Sequence, residues 1–538
     1  MSSSDGARRL AAAVAVVVGA AGVTFVMRRR RTRRARSPQP GDRSSAVGVV
    51  GLGVMGSQLT LNFAEKLRRS VSGFDMDEEK ATAVLVKARE QGDLPVSTFT
   101  GVEDFVASLE VPRRIVLLVP AGKIVDAVIA SLTPLLDAGD VIVDCGNEWY
   151  QLTEQRAHRV TPTGVHYVGC GLSGGGDGAR RGPCLMPGGP PEAWQLLQPL
   201  LESIAARVQP AGGGPSYPCV RHIGPGGSGN YVKMVHNGIE YGDMQLIAEA
   251  SMLVRELCGL TAREAADLFA EFDGGALSGF LMETAAAVHR KADDKPAAAA
   301  AVAGGAAPPP LMDALFDSCG SKGTGKWTIQ QAAELGVPAS THAAALEARY
   351  LSSLKPQRLA AAAKAAARAG GTDSRVASAA TPPATWRRDL EDALLASKLC
   401  SYAQGMAHLR AASDANEWDL RLSDLAEIWQ GGCIIRAKVL NLVSTAFKRD
   451  PALESLLLDD DVAKEMHARL PGWRRFVVFA TANAIPVPAL SASLAYYDSF
   501  TTPLLRSAQC IQAQRDCFGG HGFKRLDLEG TFSAAWRA

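Results

Sequence analysis

Val47-Gly48-Val49-Val50-Gly51-Leu52-Gly53-Val54-Met55-Gly56, running on into the helix-like stretch Ser57 to Leu67, decides the fold of this chain. The residues before Gly51 are apolar or Gly, as in a strand buried on both faces. The glycines then take the G-x-G-x-x-G spacing, and a second strand, Val71 to Phe74, ends at Asp75, 19 positions after Gly56. Alone, such a glycine pattern says little. Between a strand and a helix, with an acid at that distance, it predicts a dinucleotide site. Gly51, Gly53, Val54, Met55 and Gly56 form the turn in which backbone N–H groups and the helix N-terminus meet a pyrophosphate. Asp75 is placed to accept hydrogen bonds from the adenosine ribose. Its charge would repel a 2′-phosphate, so Asp75, followed by the uncharged Met76, argues for NAD.

Working outward, buried-strand signals recur at Arg114–Val119, Val141–Asp144 and His166–Gly169, with helix-like segments between them. Strands alternating with helices predict a parallel, doubly wound sheet, an α/β Rossmann-like dinucleotide-binding domain over residues 46–225. From about Tyr231 the pattern changes to long Ala-, Leu- and Glu-rich helical stretches, which predict a large all-α domain. Two Ala-, Gly- or Pro-rich stretches, 296–310 and 360–384, read as surface insertions.

Composition bounds the function. The chain has 538 residues, 47% hydrophobic and 21% charged, the balance of a globular protein rather than a disordered or multi-span one. Ten Arg and two Asp give residues 1–45 a charge of +8, which leaves about −6 on the remainder of a chain whose total is +2. The basic excess therefore belongs to the leader, and no nucleic-acid partner is expected of the body. Ten dispersed Cys, with no CxxC and no HExxH, point to reduced thiols and no metal. Within the leader, Leu10 to Met27 is apolar and is followed by a run of Arg. Two readings stand side by side: a membrane tether through residues 10–27, with the body on the cytoplasmic side, or an Arg- and Ala-rich organelle-targeting extension. Cytoplasm or plastid are the expected compartments.

The segment Asn230-Tyr231-Val232-Lys233-Met234-Val235-His236-Asn237-Gly238-Ile239-Glu240-Tyr241 follows a Gly-rich turn. At 100° per residue, Lys233 and Glu240 share a face, about 10 Å apart along the axis. His236, Asn237 and Tyr241 fall on it too. Five hydrogen-bonding side chains on one stripe exceed what a solvated Lys–Glu pair requires. A Lys and a Glu beside one substrate suit acid–base chemistry, because burial lowers an amine pKa and raises a carboxyl pKa toward neutrality.

At these residues the chain closely resembles the decarboxylating 6-phosphogluconate dehydrogenases, over nearly all of 46–525. The resemblance rests on Leu117–Gly122, Gly169 to Gly175, Gly178 to Gly189, Val232 to Leu246, Lys322-Gly323-Thr324-Gly325-Lys326-Trp327, Gly431 to Arg436 and Ile511 to His521. It implies a cofactor domain, a helical substrate and dimerisation domain over 226–503, and a tail over 504–538 that enters the partner of a homodimer. It implies oxidation of the C3 hydroxyl of 6-phospho-D-gluconate by NADP, loss of CO2, and tautomerisation to ribulose 5-phosphate, without metal. Lys233 matches the general base and Glu240 the acid that protonates C1 of the enediol. Val119 and Asn147 match cofactor positions, Asn147 touching substrate as well. Ser173, Gly174 and Gly175 match the turn at the carboxylate end, and His236 and Asn237 the hydroxyl contacts. Tyr241, Lys322 and Arg349 match the phosphate grip, joined by Arg515 and His521 of the partner's tail.

The chain departs from the family pattern in places. Asp75-Met76-Asp77 replaces Asn-Arg-Thr, whose Arg grips the NADP 2′-phosphate; Pro120 replaces a Lys; Cys145 and Gly176 replace a Gly and a Glu. Two other readings are a β-hydroxyacid dehydrogenase acting on a small unphosphorylated acid, and a catalytically weak, tethered dinucleotide-binding protein. The first lacks the phosphate residues and tail; against the second stand Lys233 and Glu240.

Overall fold

The computed structural model describes residues 44–210, 212–295, 308–368 and 381–537. Seven strands form one sheet in the order β3-β2-β1-β4-β5-β6-β7: β1 Val47–Val50, β2 Val71–Phe74, β3 Val96–Phe99, β4 Arg114–Leu117, β5 Val141–Asp144, β6 His166–Ser173 and β7 Cys184–Gly188. All neighbours pair in parallel except β7, which runs antiparallel to β6. The helices of this half are α1 Val54–Leu67, α2 Glu78–Glu90, α3 Val102–Ala107, α4 Lys123–Leu132, α5 Tyr150–Val160, α6 Gly175–Arg181 and α7 Pro191–Ile204. Strand order reverses between β1 and β4, and that reversal opens a crevice at the carboxyl ends of the strands.

The Rossmann-like expectation holds, with differences at the edges. The strand expected over 114–119 stops at Leu117, because Val119 and Pro120 turn into the crevice. The strand at His166 continues to Ser173, since β7, a short buried run that ends in Pro and Gly, pairs along it.

Helix α8, Ser228–Glu256, begins three residues before Tyr231 and is buried on nearly every side. It packs on β6 and β7 at its N-terminal end and on the helices Thr324–Glu334, Ser340–Ser353 and Trp386–Asn416 farther along. Such a helix is held by tertiary packing rather than by an amphipathic pattern. The approach to the sheet needs glycine. A Cβ on Gly171 would lie 2.5 Å from Cβ of Lys233, and one on Gly229 would lie 2.2 Å from the carbonyl oxygen of Met186. The rest of this half is helical too, as expected.

Residues 296–307 and 369–380 of the two insertions lie outside the described residues, as does the leader with its apolar run. The second insertion's start is ordered differently from a loop: 360–368 continues the helix Lys355–Arg368, which buries no residue. No helix among the described residues is long and apolar enough to cross a membrane. The C-terminal segment holds itself together. Asp516 accepts from the backbone of Gly522 and Ala534 and from the indole of Trp536, while Phe523 and Phe532 exchange both backbone hydrogen bonds.

Candidate active site

The crevice at the strand ends encloses about 600 Å³ and is lined by the Gly51–Met55 turn, Asp75, Met76, Val119, Asn147 and Lys322. The three loop glycines have separate physical reasons. Gly51 sits at φ +89, and a Cβ there would lie 2.7 Å from the carbonyl oxygen of Leu118. Gly53 faces open space. A Cβ on Gly56 would lie 1.7 Å from the oxygen of Gly51, so only glycine lets α1 approach the turn. The first turn of α1 carries no side-chain cap, which leaves its N–H groups free to meet a phosphate. These features fit a dinucleotide.

At the ribose end, Asp75 already has structural work. Its carboxylate accepts from the backbone N–H of Leu52 at 2.8 Å and of Asp77 at 3.0 Å, tying the glycine turn to the start of α2. Met76 is exposed and carries no charge. A cation that the sequence reading missed stands here: Lys80 lines the crevice and pairs with Asp77 at 3.1 Å. One turn into a helix, beyond the usual loop positions, it gave no pattern to notice.

Deeper in, the stripe of α8 meets the sheet. Lys233 is 5% exposed and His236 is 0% exposed. The Lys233 amine lies 3.4 Å from Nδ1 of His236, which lies 3.1 Å from Oδ1 of Asn237 and 3.9 Å from the Glu240 carboxylate. On the ring's other side, Nε2 lies 3.2 Å from the Ser173 hydroxyl, and that hydroxyl accepts from the backbone N–H of Ile434. Nδ1 donating to Asn237 and Nε2 accepting from Ser173 describe a neutral imidazole. Burial, with the Lys233 charge adding, pushes the His236 pKa down, consistent with that state. Burial lowers the Lys233 pKa and raises that of Glu240; the attraction between them, and Arg349 beside Glu240, oppose these shifts without reversing them.

The far end of the stripe is cationic. The Arg349 guanidinium lies 3.5 Å from the centre of the Tyr241 ring, and the Tyr241 hydroxyl lies 3.2 Å from that of Ser321, next to Lys322. Tyr241 is clamped, because a Cβ on Gly325 would lie 2.5 Å from its ring. Gly174 and Gly175, both at positive φ, lead from Ser173 into α6, and a Cβ on Gly174 would strike the carbonyl of Gly432. Lys233, Ser173, His236, Asn237, Glu240, Tyr241 and Arg349 therefore form one chain of neighbours, with Asn147 and Lys322 on the crevice wall. Arg515 and His521 are not brought to this group within the chain: Arg515 pairs with Gln512 and His521 packs on Phe518 of the same segment. The Ile434 N–H and the Trp429 ring edge-on to His236 went unnoticed as site elements, although Gly431 to Arg436 stood out as a stretch. Among the described residues no cluster of His, Cys, Asp or Glu could hold a metal ion.

Residues 46–224 match the family "NAD binding domain of 6-phosphogluconate dehydrogenase", and 229–536 match "6-phosphogluconate dehydrogenase, C-terminal domain". The chain is 46% identical over 491 residues to a chloroplastic decarboxylating 6-phosphogluconate dehydrogenase of Oryza sativa, covering 91% of this chain and 93% of the relative. It is 41% identical over 495 residues to the NADP(+)-dependent decarboxylating enzyme of Bacillus subtilis, covering 91% and 98%. The Plasmodium falciparum 6-phosphogluconate dehydrogenase, solved in apo form, with NADP+ and with 6-phosphogluconate, superposes with a TM-score of 0.82 at 37% identity, covering 91% of this chain and 100% of that one.

Proposed function

Because the chain belongs to the 6-phosphogluconate dehydrogenase family, we propose that the crevice and the α8 stripe are its active site, with Lys233 as general base and Glu240 as general acid. The chain oxidatively decarboxylates 6-phospho-D-gluconate to D-ribulose 5-phosphate and CO2 with reduction of NADP. The observation that carries the residue roles is the dehydrated amine of Lys233 on the same helical stripe as the half-buried carboxyl of Glu240, with His236 between them.

A bound nicotinamide supplies the acceptor for the hydride of C3. As that hydride leaves, neutral Lys233 takes the hydroxyl proton. The new ammonium then hydrogen-bonds the C3 ketone, which receives the electrons of the bond to the departing carboxylate. Glu240 finally delivers a proton to C1 of the enediol. Ser173, Gly174 and Gly175 hold the carboxylate end, and His236, Asn237 and Asn147 hold the hydroxyls. Arg349, Tyr241 and Lys322 take the phosphate, whose charge suits fixed cationic donors.

One proton shared by Lys233 and Glu240 defines the working state. Both groups protonated at low pH, or both bare at high pH, stop the cycle, so kcat against pH is expected to be bell-shaped. The Glu240→Gln enzyme keeps only the rising limb, since Lys233 must still lose its proton; a falling alkaline limb in that variant refutes the pairing.

The cofactor is NADP, while the finer reading concerns how strictly. With Met76 and Pro120 in place of cations, Lys80 beside Asp75 and Met76 is placed to meet a 2′-phosphate, and Asp75 works against it. We expect measurable NAD turnover, with kcat/KM for NADP exceeding that for NAD by less than ~100-fold, or about 2.7 kcal/mol. Steady-state assays of 6-phosphogluconate with each cofactor test this and the activity together. A larger ratio would remove Asp75 from the account, and no turnover with either would sink the function.

The working unit is a homodimer. Ile511, Phe518, Leu526 and Leu528 stand exposed on the C-terminal segment, an apolar surface that a lone chain rarely leaves in water. Arg515 and His521 then complete the phosphate grip of the partner. We place the enzyme in the plastid or the cytoplasm, on its chloroplastic relatives.

A further inference from the structure

Two turns flank the crevice: Val119–Gly122 after β4 and Cys145–Trp149 after β5. Between them lies a buried ion pair. Glu148 and Arg156 are only 4% and 1% exposed. One carboxylate oxygen of Glu148 accepts from the Gly122 N–H at 2.7 Å and from Arg156 at 2.7 Å; the other accepts from the Trp149 N–H at 2.9 Å. Arg156 in turn donates to the Gly122 carbonyl at 3.0 Å and to Asp126 in the first turn of α4 at 3.0 Å, and lies 3.7 Å from Asp144 at the end of β5. The pair thus grips Gly122 by both its N–H and its C=O. Gly122 sits at φ +89, a conformation that a side chain would resist.

The same turn reaches the catalytic helix. Asn147 precedes Glu148 and faces the crevice, and the Gly146 carbonyl accepts from Asn230 of α8 at 3.3 Å, one turn before Lys233. We propose that the Glu148–Arg156 pair is a positioning element that holds the cofactor-side turn at a set distance from the Asn147 turn, and so couples cofactor binding to substrate binding. This rests on the assignment of cofactor and substrate to the crevice. A buried pair kept only for stability is a weak explanation, because replacing such pairs by apolar side chains is often neutral. Here Glu148 also closes backbone N–H groups of both turns, Gly122 and Trp149, while Arg156 closes the Gly122 carbonyl and ties that turn to Asp126 of α4.

The readout is the binding coupling factor, the ratio of dissociation constants for 6-phosphogluconate without and with saturating NADPH, measured on the full chain. The wild-type factor should be at least about fivefold, and reciprocal when the titration order is reversed. Glu148→Gln places an amide N–H against at least one of the three donors. Its factor should fall to within about twofold of unity, with both KM values raised more than kcat is lowered. Arg156→Lys keeps the charge opposite Glu148 but cannot also reach Gly122 and Asp126, and should give an intermediate factor; it serves alone if Glu148→Gln does not fold. A wild-type factor of one, or variants that keep the wild-type factor whatever their Tm, overturn the proposal. A wild-type chain that binds NADPH but not 6-phosphogluconate overturns the assignment of function instead.

Discussion

Lys233→Met is expected to lower kcat by about a thousandfold, within the range that a positioned general base contributes, while leaving NADP binding within about twofold. The stem of Lys233 packs on Gly171 of β6 and its amine meets His236, and neither belongs to the Gly51–Gly56 turn, so its loss does not touch the cofactor cradle. Stability should hold or rise slightly. The wild-type amine is buried with one long contact to His236 at 3.4 Å, so a thioether of similar length removes an ill-solvated polar group without opening a cavity. The effect therefore separates chemistry from folding. Unchanged kcat would take Lys233 out of the mechanism, and a large fall in Tm would show that the amine is structural.

Arg515→Ala should raise the KM for 6-phosphogluconate on the order of 10- to 100-fold, the worth of one charge-assisted contact to a phosphate, with a smaller fall in kcat. The more decisive form of the test mixes chains. In a dimer of one Lys233→Met and one Arg515→Ala chain, the intact Lys233 of one chain faces the intact Arg515 of the other. Random pairing then restores about a quarter of the wild-type sites, at wild-type KM. No complementation after dissociation and reassociation would return Arg515 to its own chain. That outcome would conflict with the single chain, in which Arg515 contacts Gln512 of the same helix and nothing in the crevice.

Much of this site lay open in the sequence, and the reason is range. The Val47–Gly56 turn, the alternation of strands and helices, and the stripe from Lys233 to Tyr241 are patterns of short period, set by backbone geometry that neighbouring residues report directly. Departures were legible too: Asp75, Met76 and Pro120 showed that charge was missing beside the cofactor. What only the packed chain decided were pairings across long separations, because no local period encodes them. Ser173 meets His236 across 63 residues, the Ile434 N–H meets Ser173 across 261, and Lys80 turns into the crevice from a helix that reads as plain surface. Glu148 and Arg156 are the sharpest case. In sequence they are two charges eight residues apart. Burial among four backbone and carboxylate partners makes them a clamp, since desolvated charges must find fixed partners and only the tertiary fold supplies them.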